Sequence, residues 1–289
     1  MSLVHMQELL ESFPDQCQAA WALPLPQLRT DTITSICYAG MGGSAAAGEM
    51  ISSLSACSLP FIVHRNFGLP PWAGRHTLVV ASSHSGSTEE TVSAYREAVK
   101  RDCPVLVITS GGELLRQARR TDAPLIQIAP EGPPRARLGD LFFPAYRFFF
   151  REKICTERIG PSFFPWLRRM TREAAADRSA AATIAARLKD RISMIIAAEP
   201  FVPAANRWKN QLAENAKATA FVSIVPEMNH NEICGRRFPR WIRKRMVVIC
   251  LDSTGYPART RVHLHAALQI LRDAEMEVIP VDASGKGRL

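Results

Sequence analysis

Through the first half of the chain, short apolar runs alternate with stretches whose apolar residues recur three and four positions apart. The runs are SICYAGM (35–41), PFIVHR (60–65), TLVVASS (77–83), PVLVITS (104–110) and PLIQIAP (124–130). Between them lie SAAAGEMISSLSA, TEETVSAYREAVKR and GGELLRQARR, whose spacing predicts helices. Strands alternating with helices imply βαβ units and a parallel sheet covered on both faces. Ligands of such an open α/β sheet bind at the carboxyl ends of its strands.

The rhythm breaks around 138–170, where LGDLFFPAYRFFF, the polar REKICTERIG and then GPSFFPWL follow one another. A boundary is expected near 152, giving a first domain over 1–152 and a second over 153–289. After a long Ala/Arg helical stretch, EAAADRSAAATIAARLKDRISMI, a second and shorter α/β pattern begins. It reads as a strand at PFVPA, a helix over NRWKNQLAENAKA, strands at TAFVSIVP and MVVICLD, a helix over RTRVHLHAALQILRDA, and a strand at EVIPVD. The two halves read as a weak duplication of one architecture.

Composition changes this picture little. With 289 residues, 47% hydrophobic and 22% charged, the chain suits two globular domains with a sizeable core. No run approaches the ~18 apolar residues of a membrane span, and MSLVHMQELL lacks the basic and apolar regions of a signal peptide. Seven cysteines without a C-x-x-C pair point to reduced, structural thiols and a cytoplasmic setting rather than a disulfide frame or zinc site. The net charge of +9, densest in RRFPRWIRKR (236–245), permits nucleic-acid binding. No helix-turn-helix or zinc finger accompanies the patch, so a solvated basic face fits better and no nucleic-acid partner is expected. A basic balance also suits anionic small substrates.

Candidate chemistry gathers at the strand ends. SSHSGSTEET (82–91) crowds hydroxyls and glycine where a strand passes into a helix. One reading is an anion site, since first-turn amides and Ser/Thr hydroxyls suit a tetrahedral oxyanion. The other is an ordinary helix cap, with Ser87 and Glu90 forming a capping box. The first strand runs into GMGGSAAAGEM, with Gly40, Gly42, Gly43 and Ser44 at the turn. This string matches a dinucleotide fingerprint, but the second strand ends on His64 and Arg65 without a carboxylate, and NAD is set aside. Arg135, after a Pro pair, is either an exposed loop residue or an oxyanion ligand. Glu214 lies off the Trp208/Leu212 stripe of its helix, and His230 sits between two asparagines past a strand. Each reads singly as an ordinary solvated or loop residue. A carboxylate and an imidazole beside an anion site are also what an aldose–ketose isomerase requires.

GMGGSA, SHSGSTEET, PPRARLG, RWKNQLAENAK and PEMNHNEICG, in that order, resemble the bifunctional phosphoglucose/phosphomannose isomerases, a branch of the sugar isomerase (SIS) superfamily. HRNFGLP (64–70) adds to the resemblance, which runs from about residue 30 to 289. It implies two SIS-type, flavodoxin-like αβα sandwich domains with parallel sheets, the second one trimmed. It also implies a sugar 6-phosphate substrate: glucose 6-phosphate or mannose 6-phosphate converted to fructose 6-phosphate through a cis-enediol, without metal or cofactor. Residue by residue, the resemblance assigns the phosphate to Ser83, Ser85 and Thr88, with Ser87 left for the helix cap. It assigns the sugar to Gly42, Gly43 and Ser44, and the developing enediolate to Arg135. The base becomes Glu214. The ring-opening group becomes His230, reaching in from the other subunit of a homodimer.

Three features depart from the family pattern. EVIPVDASGKGRL looks like the last strand of the second domain followed at once by the chain end, where relatives continue with a helix and a tail bearing a Thr and a Lys. Lys286 falls too early to be that lysine. PFVPAA is shorter than the corresponding strand, and His84 stands where Tyr is usual. A sugar-phosphate binder that has lost turnover is therefore the alternative to an enzyme.

Overall fold

Every strand pair in the two sheets is parallel. The computed structural model describes residues 3–54, 57–176, 178–236 and 238–283, in two units, Met1–Ala176 and Asp177–Leu289. In the first unit, α1 (Leu3–Glu11) and α2 (Phe13–Ala22) precede β1 (Ser35–Ala39), α3 (Gly42–Leu54), β2 (Phe61–His64) and β3 (Thr77–Ser83). Then come α4 (Glu89–Lys100), β4 (Val105–Thr109), α5 (Gly112–Arg120), β5 (Leu125–Gln127), α6 (Leu138–Arg151) and α7 (Phe163–Ala176).

The strand order is β2-β1-β3-β4-β5, the flavodoxin-like order whose switch point falls between β1 and β3. Strands β3 and β4 are buried along their whole length, as their unbroken Val/Ile/Leu runs require of strands covered on both faces. One face packs Val79, Ala81, Val105 and Val107 against Val92, Tyr95 and Ala98 of α4 and Leu114 of α5. α3 and α6 pack on each other on the other side, where Phe149 of α6 meets Phe61 of β2 edge-on. Gly48 makes the approach of α3 to β1 possible, since a Cβ there would stand 2.6 Å from the Tyr38 ring.

The segment 138–150 that breaks the sequence rhythm is the helix α6. Ten of its residues are buried, Pro144 among them, and the charged Asp140, Arg147 and Arg151 share one narrow stripe, so the helix is amphipathic with an unusually wide apolar face. The first unit also continues past the expected boundary at 152. α7 packs on α2 through Trp21 and Phe164 (ring centroids 6.1 Å apart) and through Arg168, which donates to Asp15.

The second unit holds α8 (Arg178–Leu188), β6 (Ile192–Ala197), α9 (Val202–Gln211), β7 (Ala220–Ile224), α10 (Ile242–Arg245), β8 (Met246–Asp252), α11 (Ala258–Asp273) and β9 (Glu277–Asp282). Its order β7-β6-β8-β9 repeats that of the first sheet with one strand fewer among the described residues. Pro280 sits on the edge strand β9, where a missing N–H is tolerated. The expected strand at PFVPA is instead the entry to α9, with Pro203 in its first turn. The unit's first strand is ISMIIA, separated from the Ala/Arg helix by Asp190 at φ 57°. No helix of the described residues is long and apolar enough to cross a membrane.

Candidate active site

The two Gly/Ser turns meet at the switch point of the first sheet. β1 runs into α3 through Gly40–Ser44, and β3 runs into α4 through Ser83–Thr88. Parallel pairing of β1 with β3 puts both turns at the same sheet edge. The buried Ser44 hydroxyl joins them, accepting a hydrogen bond from the His84 amide at 3.3 Å.

Within the second turn the hydroxyls are organised. Ser83 Oγ and Thr88 Oγ1 share a hydrogen bond of 2.9 Å, and Ser83 Oγ also accepts from the Gly86 amide at 3.1 Å. Ser85 is exposed, and its Oγ accepts from the Ser87 amide at 3.3 Å. The expected Ser87–Glu90 capping box does not form: α4 begins at Glu89 and its N-cap is Thr88, without a side-chain cap bond. The Thr88 hydroxyl bonds Ser83 instead of a first-turn amide. The first-turn amides of α4 therefore remain available to an anion. Glu89 and Glu90 already complement the dipole of that turn, so hydroxyls and amides rather than the dipole would hold a phosphate.

A third turn, Ser110–Gly112 after β4, was not singled out in the sequence. Ser110 donates to the His84 carbonyl through its hydroxyl (2.6 Å) and its amide (3.1 Å), and the Leu114 amide donates to the Gly86 carbonyl (2.8 Å). Gly86 (φ +68°) and Gly112 (φ +70°) interlock so closely that a Cβ on Gly86 would lie 1.7 Å from the Gly111 carbonyl oxygen. The signal was a second Gly-Gly pair between a strand and a helix of the same sheet.

Arg135 sits half-buried on a 3-10 turn, Pro134–Ala136, that packs on α3, the helix beginning at Gly42. The turn is pinned by buried Gln16, which donates to the Ala136 carbonyl and accepts from the Gly139 amide, each at 3.0 Å. Two residues on, Arg137 Nε and Asp140 Oδ2 approach to 2.5 Å without hydrogen-bond alignment. Burial pushes the Asp140 carboxyl up to about 6 despite Arg137, which pulls the other way. His84 is buried, bonded through its ring to the Ala129 backbone, and its Nε2 lacks a partner. Burial first, and then Arg137, lower its pKa, which favours the uncharged ring. His84 thus binds the serine turn to the loop that carries Arg135.

In the second unit, Glu214 is exposed on a π-helical turn, Leu212–Ala216, that closes α9. The expected helix over 206–218 therefore stops being α-helical at Gln211. Lys217 ends the turn in the left-handed conformation (φ 57°), and its Nζ donates to the Glu214 carbonyl at 2.7 Å. Leu212, Ala216 and Lys217 line a cavity of about 650 Å³ with Lys189 and Arg191, but the Glu214 side chain is not in its wall. His230 is exposed on the 3-10 turn Glu227–His230, fixed by buried Met228 and by Asn229, which donates to the His263 carbonyl at 3.1 Å. The structure does not bring Glu214 and His230 together within the unit. Glu214 precedes β7 and His230 follows it. α9 and the π-turn pack through Trp208 and Leu212 on one face of the sheet, whereas Met228 joins the core on the other. Among the described residues no group of three or more His, Cys, Asp or Glu side chains could hold a metal ion.

Paired parallel sheets with Gly/Ser turns at a switch point define an SIS-type double-domain protein. The fold matches the C-terminal domain of glucosamine-fructose-6-phosphate aminotransferase from Francisella tularensis with a TM-score of 0.62, at 13% identity over 96% of this chain and 83% of that one. The profile of the bacterial phospho-glucose isomerase C-terminal SIS domain matches residues 177–289. The bifunctional phosphoglucose/phosphomannose isomerase of Caldicellulosiruptor bescii is 28% identical over 98% of this chain and 87% of that protein. That of Thermoplasma acidophilum is 33% identical over 82% of this chain and 73% of that protein. The chain belongs to the bifunctional phosphoglucose/phosphomannose isomerase family.

Proposed function

We propose that this chain is an aldose–ketose isomerase that interconverts glucose 6-phosphate, mannose 6-phosphate or both with fructose 6-phosphate through a cis-enediol, without a metal or cofactor. The observation that carries the reading is the junction of the two turns at the switch point, Ser44 to His84, beside uncapped amides and the Ser83–Thr88 hydroxyl pair. That geometry suits a tetrahedral dianion next to a polar sugar.

In this reading the phosphate bonds to Ser83, Ser85, Thr88 and the amides behind them, and the sugar lies along Gly42, Gly43 and Ser44. His230 gives its proton to the ring oxygen and takes up the one the anomeric hydroxyl loses, opening the ring. The Glu214 carboxylate takes the proton from C2 and returns it to C1, and Arg135 stabilises the enediolate oxygen between those steps. The separation of Glu214 and His230 within one protomer supports a homodimer in which each site takes His230 from the partner copy.

A coupled assay on purified chain tests this. Fructose 6-phosphate should form from glucose 6-phosphate or mannose 6-phosphate, with the rate unchanged in excess EDTA. Binding of either sugar phosphate without turnover would instead make the chain a sugar-phosphate binder.

A further inference from the structure

Seven thiols are distributed over the fold, and their surroundings divide them sharply. Cys17, Cys37, Cys103 and Cys250 are buried, and burial pushes all four up, Cys37 and Cys250 to about 12. Such thiols are poor nucleophiles at neutral pH. Cys234 is exposed. Cys57 and Cys155 stand apart: their sulfurs are 3.5 Å from each other although 98 residues separate them.

We propose that Cys57 and Cys155 form a reversible dithiol–disulfide site, oxidised by a hydroperoxide. The backbone on both sides is already held in place. The Ser58 amide donates to the Ile154 carbonyl at 3.1 Å, joining the residues next to each cysteine. Lys153, in the left-handed conformation (φ 58°), ends α6, and the Ile154 and Cys155 amides both donate to the Phe149 carbonyl, at 2.9 and 3.2 Å. The bond closes the sulfurs from 3.5 Å to about 2.05 Å between two segments that the backbone already joins.

Exposure sets the order of events. Cys57 is half-buried and reachable, whereas Cys155 is 1% exposed. The Cys57 thiolate attacks one peroxide oxygen: an S–O bond forms, the O–O bond breaks, and the leaving oxygen departs as water or alcohol with the thiol's proton. The Cys155 sulfur then attacks the Cys57 sulfenic acid; the S–S bond forms, the S–O bond breaks, and the hydroxyl leaves as water with the second proton. One peroxide is reduced by two electrons, one from each thiol. The bond ties the segment after α3 to the end of α6, two helices that pack on each other. The opposite ends of this pair carry Gly42–Ser44 and the Arg135 turn. Oxidation therefore clamps the scaffold under the sugar-phosphate turns from its far side.

The test exposes the full chain to hydrogen peroxide, quenches with an alkylating agent, and maps peptides without reduction. A cross-linked pair containing Cys57 and Cys155, lighter by two hydrogens, should appear, vanish on treatment with dithiothreitol, and be absent from Cys57→Ser. That variant changes a half-exposed side chain, and Cys155 in it should stay alkylatable after unfolding. The oxidised parent should melt at a higher temperature than the reduced one. Peroxide that oxidises Cys234 while Cys57 and Cys155 both remain alkylatable overturns the proposal, and an unraised Tm in cross-linked protein overturns the clamp.

Discussion

Glu214 and His230 stand at opposite ends of β7, on turns whose Leu212 and Met228 pack on opposite faces of its sheet. Five residues of strand, Ala220–Ile224, lie between them, a length of roughly 17 Å. If the two residues play the proposed roles, one carboxylate and one imidazole so placed would serve different sugars within a single protomer. In the proposed homodimer each site would be completed by His230 of a second copy of the chain.

Two inactive variants should therefore complement each other. Glu214→Gln mixed and reassociated with His230→Ala gives heterodimers with one intact site of two. Random pairing makes about half the dimers mixed, so activity should recover to about a quarter of the parental value per total site. Absence of recovery, with mixed dimers demonstrated by mass spectrometry, would contradict the shared site.

Ser85 and Thr88 should carry phosphate affinity without carrying the fold equally. Ser85→Ala removes an exposed hydroxyl and Thr88→Val one bonded to Ser83. Each should weaken fructose 6-phosphate binding by ~1 to 2 kcal/mol, the weight of a hydrogen bond to a charged group. Only Thr88→Val should also lower the melting temperature. Calorimetry with fructose as the comparison ligand checks this; equal affinity of the parent for both sugars would remove the anion site.

Gly86 should accept no side chain. At φ +68°, with the Gly111 carbonyl 1.7 Å from a Cβ, Gly86→Ala must separate the turns after β3 and β4. A loss of more than ~2 kcal/mol of stability, together with loss of sugar-phosphate binding, is expected from denaturant melts and titration.

Asp140 gives the fold a pH dependence of defined sign. Its carboxyl titrates near 6 in the folded chain against 3.8 for the ordinary group. The unfolded chain therefore releases this proton first as pH rises. The stabilisation is complete below about 3.8 and is lost as pH passes through about 6. Between pH 4 and 6.5 the parent should lose ~1 to 3 kcal/mol relative to Asp140→Asn. Parallel stability–pH profiles of the two proteins would contradict a raised carboxyl.

The parts of this structure legible in the sequence were those fixed by local rules. Parallel strands such as TLVVASS declare themselves by β-branched runs bounded by Gly/Ser turns, and α4 by its spacing. α6 was hidden because its polar stripe is only three residues wide, Asp140, Arg147 and Arg151, and Pro144 stands inside it, where proline ordinarily argues against a helix. β6 was hidden because ISMIIA follows an Ala/Arg helix with only Asp190 to mark the break. The capping box at Ser87 is absent because α4 starts one residue later than its spacing implies, with Thr88 as the N-cap and its hydroxyl on Ser83. His84 as the link from Ser44 to the Ala129 loop depends wholly on contacts across the sheet edge, which no spacing along the chain encodes.

Solvent-proton exchange tests the enediol account most directly. Fructose 6-phosphate incubated with the parent protein in deuterium oxide should acquire deuterium at C1, and the aldose formed from it at C2, as followed by proton NMR. Glu214→Gln keeps the shape and hydrogen bonding of the side chain but not the base, so affinity for fructose 6-phosphate should change little. Exchange should fall by at least ~10² to 10⁴-fold, the usual weight of a general base. Exchange by Glu214→Gln at the parental rate, with the sugar phosphate demonstrably bound, would contradict the assignment of Glu214 as the group that moves the proton.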